Sequence, residues 1–481
     1  MGESPGVTMG FMPFPRGGSA FVALELAQRL QRSVSDFSLV AGSWPEGPNP
    51  KMSDARRFFA AVQRLTTMNY SPDAAPSGSG DVVAMHPSFE YKEDVSDRVL
   101  SDFTPAEGAA FTESWAQALK PTDGPGRHSV LHLHHLGPMN LAARRTGTPV
   151  VAHLHGTEMK FVIQAQEAAS SSGRWTGHSA WRYADHWAKE LQQAAREAAA
   201  VVCVSEDDAT LATELFALPS GAVHIIENGV DAGYFGPLPL DDRDKLRYWT
   251  KWLVNDPQGW DGTAVPGTVS YSEQLLRDSF VNEAGRMRPV LLCVSRFLRW
   301  KRLTDVIDAY VMARDEHGLR SPLVIWGGYP GECEGIHPYE YARSKGDAGV
   351  FFTGWRGPED LKYGYAAADL MVNGADSEPF GTAILQAMAT GTPVLSTRTG
   401  GPAKFIQDSG PRQNGWFFDL GDIKGLAHLL TELVGNIESW RDRLGTESRR
   451  LVLRRYSWER VVEDFHGLYD ATLRTGAKVR G

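Results

Sequence analysis

Short apolar runs, each closed by a polar or glycine-bearing loop, alternate along this chain with longer stretches of helix formers. Val7–Phe11, Val130–His135, Pro149–His155, Ala198–Ser205 and Val223–Glu227 read as strands of the first half. Pro289–Arg296, Leu323–Gly328, Val350–Arg356, Leu370–Val372 and Val394–Ser396 repeat the pattern in the second. Helices are expected at about 20–30, 53–65, around Trp115, from Leu303, over 383–389 and from Arg455 through about Leu473. Strands four to eight residues long that alternate with helices indicate α/β units built on parallel sheets. A weak strand at 81–85 and a flexible stretch at 73–80 lie in the least regular region, 44–128.

At 481 residues the chain exceeds one ordinary core, so two or three domains are expected. The boundaries read as 1–235, a linker with a helical insertion at 236–288 (Trp249, Trp252, Trp260), 289–450, and a final helix at 451–481. A hydrophobic share of 42% with 22% charge describes a globular chain in water. The net charge of −9 argues against nucleic acid and against a basic membrane-docking face. No charged-plus-apolar leader and no apolar run of about 18 residues is visible, so no membrane insertion is expected. Three scattered cysteines, Cys203, Cys293 and Cys333, form no disulfide or metal framework and fit a cytoplasmic location.

The stretch 366–401 organises the rest. A strand at Leu370–Val372 breaks into a loop, and Glu378-Pro379-Phe380-Gly381-Thr382 leads into the helix 383–389, which Gly391-Thr392-Pro393 stops. Such a loop lies at the carboxyl end of a parallel strand, where ligands bind. Free amides at Gly381 and Thr382 would favour an anion such as phosphate. The segment resembles the donor-site signature of retaining GT-B glycosyltransferases of family 4, in which a second Glu follows the first by eight positions. Here that position holds Gln386, a departure. The resemblance implies that Glu378 holds donor-sugar hydroxyls and Gln386 the ribose, without the charge-assisted part of the bond.

Further landmarks fit the same resemblance, which runs from Pro13 to Tyr469. Pro15-Arg16-Gly17-Gly18-Ser19 precedes the first helix and is similar to the family's loop over the donor diphosphate, although a plain βα turn accounts for Gly17 and Gly18 equally well. Arg296 and Lys301 match the diphosphate clamp in order and spacing, the Arg offering a fork and the Lys a point charge. Gly328, Trp355 and Arg356 fall where the family receives the nucleotide and its base, though Trp355 also suits interdomain packing. His155 matches the active-site histidine. Lys404, in Gly400-Gly401-Pro402-Ala403-Lys404, stands near a usual acidic position and is a second departure.

Implied overall is a GT-B fold: two Rossmann-like doubly wound domains facing a cleft, with the last helix returning to the first. The implied activity moves a sugar from a nucleoside diphosphate sugar, UDP being the commonest, to a hydroxyl of a small soluble acceptor. His155, Glu378, Arg296 and Lys301 would be catalytic; Gly17, Gly18, Gly328, Trp355, Arg356, Phe380, Gly381, Thr382 and Gln386 would complete the donor site. No cofactor or metal is called for, and a homodimer is compatible with the sequence. The acidic charge favours a small soluble acceptor, and the clusters His86-Pro87-Ser88-Phe89-Glu90 and His153-Leu154-His155-Gly156-Thr157-Glu158 resemble bacterial natural-product transferases acting on aminocyclitols or related antibiotic scaffolds. Two other readings stay open. The His-x-His strands (His132, His134; His153, His155) suit a metal-dependent hydrolase. Gln386 and Lys404 suit a degenerate binding or auxiliary subunit.

Overall fold

The computed structural model describes residues 5–47, 50–74, 82–89, 98–119, 129–170, 181–346, 349–378 and 380–479. The chain divides into two compact units, Met1–Asn228 with Trp458–Gly481, and Gly229–Ser457.

In the first unit, β1 (Gly6–Phe11), β2 (Phe37–Ser43), β3 (Leu65–Ser71), β4 (Val82–Ala84), β5 (Ser129–His134), β6 (Val150–His153), β7 (Ala200–Cys203) and β8 (Val223–Ile225) form one sheet. Its order is β4-β3-β2-β1-β5-β6-β7-β8, parallel throughout. The chain therefore reverses its direction of travel between β1 and β5, and the carboxyl ends of those two strands border the crevice where such sheets bind ligands. One face of the sheet carries helices 105–118 and 184–197 over Leu131, Leu133 and Val201. On the other, Ala23, Leu26 and Leu30 of helix Gly17–Ser33 pack with Val461, Phe465 and Tyr469 of helix Trp458–Val479. The final helix thus completes the first core.

The second unit holds β9 (Leu291–Ser295), β10 (Leu323–Gly327), β11 (Val350–Gly354), β12 (Leu370–Asn373), β13 (Val394–Thr397) and β14 (Gly415–Phe418), in the order β11-β10-β9-β12-β13-β14 and again parallel. Here the reversal falls between β9 and β12. Continuous apolar runs such as Leu291-Leu292-Cys293 are what a sheet covered on both faces requires.

Residues 236–288, expected as a linker with a helical insertion, belong to this second unit. Helix Asp242–Thr250 passes through a π-helical turn at Lys251–Asn255, and helix Glu273–Phe280 follows. Trp249, Trp252 and Trp260 are all buried. Trp252 meets Trp326 of β10 edge-on at 4.8 Å, and the Phe352 amide donates to the Tyr271 hydroxyl at 3.0 Å. The insertion thereby covers β11, an edge strand that would otherwise expose unpaired amides.

Between 53 and 65 the expected helix is replaced by two single turns, Pro50–Ser53 and Ala55–Phe58, and the chain then enters β3. Thr66, Thr67 and Tyr70 favour a strand, and burial of alternate residues Met68 and Tyr70 rewards it. The first helix begins at Gly17 rather than near residue 20, so the Gly-Gly pair forms its first turn.

Candidate functional site

Each unit gathers polar groups at the carboxyl ends of the strands flanking its reversal point. In the second, Arg296 follows β9 directly, and a 3₁₀ turn over Arg299–Lys301 brings Lys301 to the start of helix Leu303–His317. The Asp376 amide donates to the Trp300 carbonyl at 2.9 Å, which fixes the loop after β12 beside that turn. Glu378, on this loop, pairs with the Lys301 ammonium, and both side chains are mostly buried. The ammonium also lies 4.1 Å from the centre of the Trp300 ring. Arg296 is held by both carboxylate oxygens of Glu332.

The loop carrying Glu378 needs glycines around it. The Gly401 amide donates to the Glu378 carbonyl at 2.9 Å. A Cβ on Gly400 would come within 2.1 Å of that carbonyl, and one on Gly401 equally close to the Phe380 carbonyl. Gly381, at φ +87°, then opens helix Thr382–Thr390 with its amides unshared by side-chain caps. Phe380 is buried and lies edge-on to Tyr456 at 5.9 Å, so it supports the loop from beneath. Pro379 lies outside the described residues. Gln386, one turn further along, accepts from the Tyr365 hydroxyl at 3.2 Å.

The remaining residues expected at the donor end of this unit lie along β10 and β11. Gly328 supplies the carbonyl that accepts the Trp260 indole N–H at 2.7 Å, and a Cβ there would strike the Phe297 ring. Trp355 is half-buried, its ring edge-on to Tyr329 at 6.0 Å. Arg356 is engaged elsewhere: its guanidinium is buried, pairs with Asp256 at 3.0 Å and Asp360 at 3.4 Å, and donates to the Trp252 and Asp256 carbonyls. It anchors the insertion. Lys404 is exposed on the short helix Pro402–Phe405.

In the first unit, Gly17 (φ +68°) and Gly18 are exposed and face open space where a side chain would begin. The next residue, Ser19, meets His135 Nε2 at 3.0 Å, and His135 Nδ1 meets Glu158 at 3.3 Å. Glu158 is fully buried and also accepts the His155 amide at 2.8 Å. Its carboxyl is held down to about 2: burial opposes ionisation, but His135 and the hydrogen bonds outweigh it. A fixed carboxylate therefore ties the predicted His155 loop to the residue beside Gly17–Gly18.

Behind His155 lies a box of imidazoles. His132 and His134 stack with their planes 12° apart, as do His134 and His155 at 10°, and His153 and His155 at 27°. His132 bonds the Tyr469 hydroxyl at 2.7 Å and His153 at 3.2 Å; His134 bonds His155 at 2.9 Å. Burial holds all four below the ordinary histidine value, His132 at about 3. Nitrogens of His132, His134 and His153 do come within 4.8 Å of one another. Near-parallel rings cannot both place one ion in their planes, as imidazole ligation requires, without turning. His134 Nε2 and His153 Nε2 are buried without a hydrogen-bond partner among the described residues, so the stack is only partly satisfied from within.

Ser19, His135, Glu158 and Glu332 were not singled out from sequence. Glu158 lies in the His153–Glu158 stretch, but only the folded chain shows what it holds. The other three carry no spacing signal.

Two parallel α/β units, one with a glycine turn and one with a cation–carboxylate clamp at its reversal point, are the units of a GT-B fold. The family model for glycosyl transferases group 1 matches residues 277–450, and that for glycosyltransferase family 4 matches residues 16–234; together the two matches cover most of both units.

The lipopolysaccharide core biosynthesis glycosyltransferase LpsE of Rhizobium meliloti is 32% identical over 179 residues, covering 37% of this chain and 48% of that protein. N-acetyl-alpha-D-glucosaminyl L-malate synthase of Bacillus anthracis is 27% identical over 42% of this chain and 49% of its own. The chain thus spans about half the length of these two curated relatives. D-inositol 3-phosphate glycosyltransferase of Actinosynnema mirum aligns more widely, at 26% identity over 76% of this chain and 77% of its own. Among solved structures, Anabaena Alr3699/HepE in complex with UDP and glucose superposes with a TM-score of 0.62 at 15% identity, covering 97% and 99% of the two chains. Sucrose-phosphate synthase from Thermosynechococcus elongatus gives 0.64 at 16%, covering 98% and 100%. Among the described residues no helix is long and apolar enough to cross a membrane.

Proposed function

We propose that this protein transfers a sugar, with retention, from a nucleoside diphosphate sugar to a hydroxyl of a small polar acceptor. The observation that carries this reading is the position of Arg296, Lys301 and Glu378 around the reversal between β9 and β12. As the glycosidic bond breaks, negative charge gathers on the diphosphate. Arg296, Lys301 and the amides of Gly381 and Thr382 answer it, and preorganised donors of this kind each lower a barrier by about 3–4 kcal/mol. Glu378, released from Lys301 by the incoming phosphate, accepts sugar hydroxyls. His155, kept neutral by its surroundings, hydrogen-bonds the sugar or acceptor, and Gln386 holds the ribose. The acceptor proton passes to the departing phosphate oxygen on the same face, so inverted product in an anomer analysis would overturn this step. Because side chains and amides supply the positive field, turnover is expected to persist in excess EDTA.

UDP is the proposed nucleotide, supported by a HepE structure that contains it. A polyol such as an aminocyclitol is the proposed acceptor class, supported by the net charge and by the name of the inositol phosphate relative. A thermal-shift screen of UDP, GDP, ADP and dTDP tests the reading. One of them should raise Tm, and Arg296→Ala and Glu378→Ala should each lower turnover about 100-fold or more. A folded sample that responds to none sinks it. Gln386 and Lys404 favour a second reading, a binding subunit without turnover. Product formed by the isolated chain would exclude that.

A further inference from the structure

Both cations of the proposed clamp are matched by carboxylates, but the two matches differ in origin. Glu378 belongs to the donor-site signature; Glu332 does not. The Arg296 guanidinium gives Nε to one Glu332 oxygen at 2.9 Å and Nη2 to the other.

The backbone delivers this carboxylate to its place. Phe297 and Cys333 form a parallel bridge beyond the end of β9. The Glu334 amide donates to the Phe297 carbonyl at 2.8 Å, and the Glu332 amide turns back to Tyr329 at 2.8 Å. Phe297 is itself fixed, with Trp260 stacked on it at 5.5 Å and Gly328 pressed against its ring. Residues 328–334 are thereby bound along 296–299, and Glu332 reaches Arg296 from a set direction. The Arg296 side chain remains 44% exposed. An exposed pair of this kind is weak and open to exchange.

We propose that Glu332 biases the clamp against the leaving nucleoside diphosphate, so that the site favours sugar donor over spent product. The proposal rests on the donor-site reading above. In the donor both phosphates are diesters, with one ionised oxygen each and two negative charges in all. After transfer the terminal phosphate is a monoester whose second ionisation lies near 6 (about 6 for such groups), so at neutral pH the product carries close to one charge more. Either ligand must take Arg296 from Glu332, but the displaced carboxylate stays nearby and repels the product more strongly. One extra unit charge about 4 Å away in water corresponds to about a fivefold difference in affinity. When product leaves, Glu332 regains the guanidinium and the clamp returns to its charge-balanced state.

Titration calorimetry on the full chain tests this with two pairs of probes, UDP with UDP-glucose and GDP with GDP-mannose. Glu332→Gln keeps the shape of the side chain and removes its charge. It should tighten the nucleoside diphosphate about fivefold more than the matching sugar nucleotide, and lower the product-inhibition constant relative to the donor KM by the same factor. Glu332→Asp, which keeps the charge, should keep the ratio of the unaltered chain. Equal changes for both members of a pair, or Asp behaving as Gln does, would overturn the proposal and leave the donor site standing. Should the unaltered chain bind none of the four probes, the same test is run with ADP and dTDP and their glucose esters; binding of none of these fails the donor-site reading and takes this one with it.

Discussion

Single residues at the second unit's reversal point do more than their types suggest. Gly400 sits at φ +51° with a would-be Cβ 2.1 Å from the Glu378 carbonyl. Gly400→Ala should therefore push the Glu378 loop out of place, costing about 2 kcal/mol or more in urea unfolding and weakening donor affinity in the same variant. Gln386 offers the ribose a neutral acceptor beside the Tyr365 hydroxyl. A carboxylate there would restore a charge-assisted bond, so Gln386→Glu should tighten the responding nucleoside diphosphate by about three- to tenfold in calorimetry. Arg356 shows the reverse case: a residue that reads as a ligand contact from its place after β11 turns out to be committed to Asp256, Asp360 and two carbonyls. Its type was visible in the sequence, its partners about a hundred residues away were not.

Whole elements explain why those partners were hidden. The insertion at 236–288 reads as a linker because its charges and prolines break every period, yet three buried tryptophans and the Tyr271–Phe352 bond bind it to the edge of the sheet. Arg356→Ala would leave the carbonyls of 252–256 without their buried donor. It should destabilise the second unit by about 3 kcal/mol, seen as an earlier unfolding transition and faster amide exchange in β11. The final helix offers a parallel test in the first unit. Val461, Phe465, Leu468 and Tyr469 are buried against helix Gly17–Ser33, so a chain ending at residue 457 should aggregate or lose its cooperative near-UV transition. The amphipathic pattern of that helix was legible in sequence. The strand Leu65–Ser71 was not, since a seven-residue run with two buried positions is weak against a neighbouring stretch of helix formers.

For the molecule as a whole, the buried imidazole box sets the response to acid. His132, His134, His153 and His155 are all held neutral by burial, with His132 depressed to about 3. The unfolded chain takes up protons near 6.5 that the native chain refuses, so stability is full above that value and falls as pH drops from 6.5 toward 3. For His132 alone the loss between pH 6.5 and pH 5 is about 2 kcal/mol. Calorimetric Tm should fall over that interval, and His132→Gln, whose amide can still meet Tyr469, should flatten the slope. The Glu158 contribution is lost later, between about 4.5 and about 2.

The sequence by itself determined the alternating α/β pattern and the strands that carry Arg296 and lead into the Glu378 loop, because these are written in local period and spacing, but not the strands Phe37–Ser43, Leu65–Ser71 and Gly415–Phe418. The tertiary structure alone decided that Glu332 takes Arg296, that Glu158 joins Ser19's neighbour His135 to His155, and that the tryptophan insertion caps a sheet. Those pairings join residues far apart in the chain, and only the packing of parallel strands fixes which side chains share a strand end.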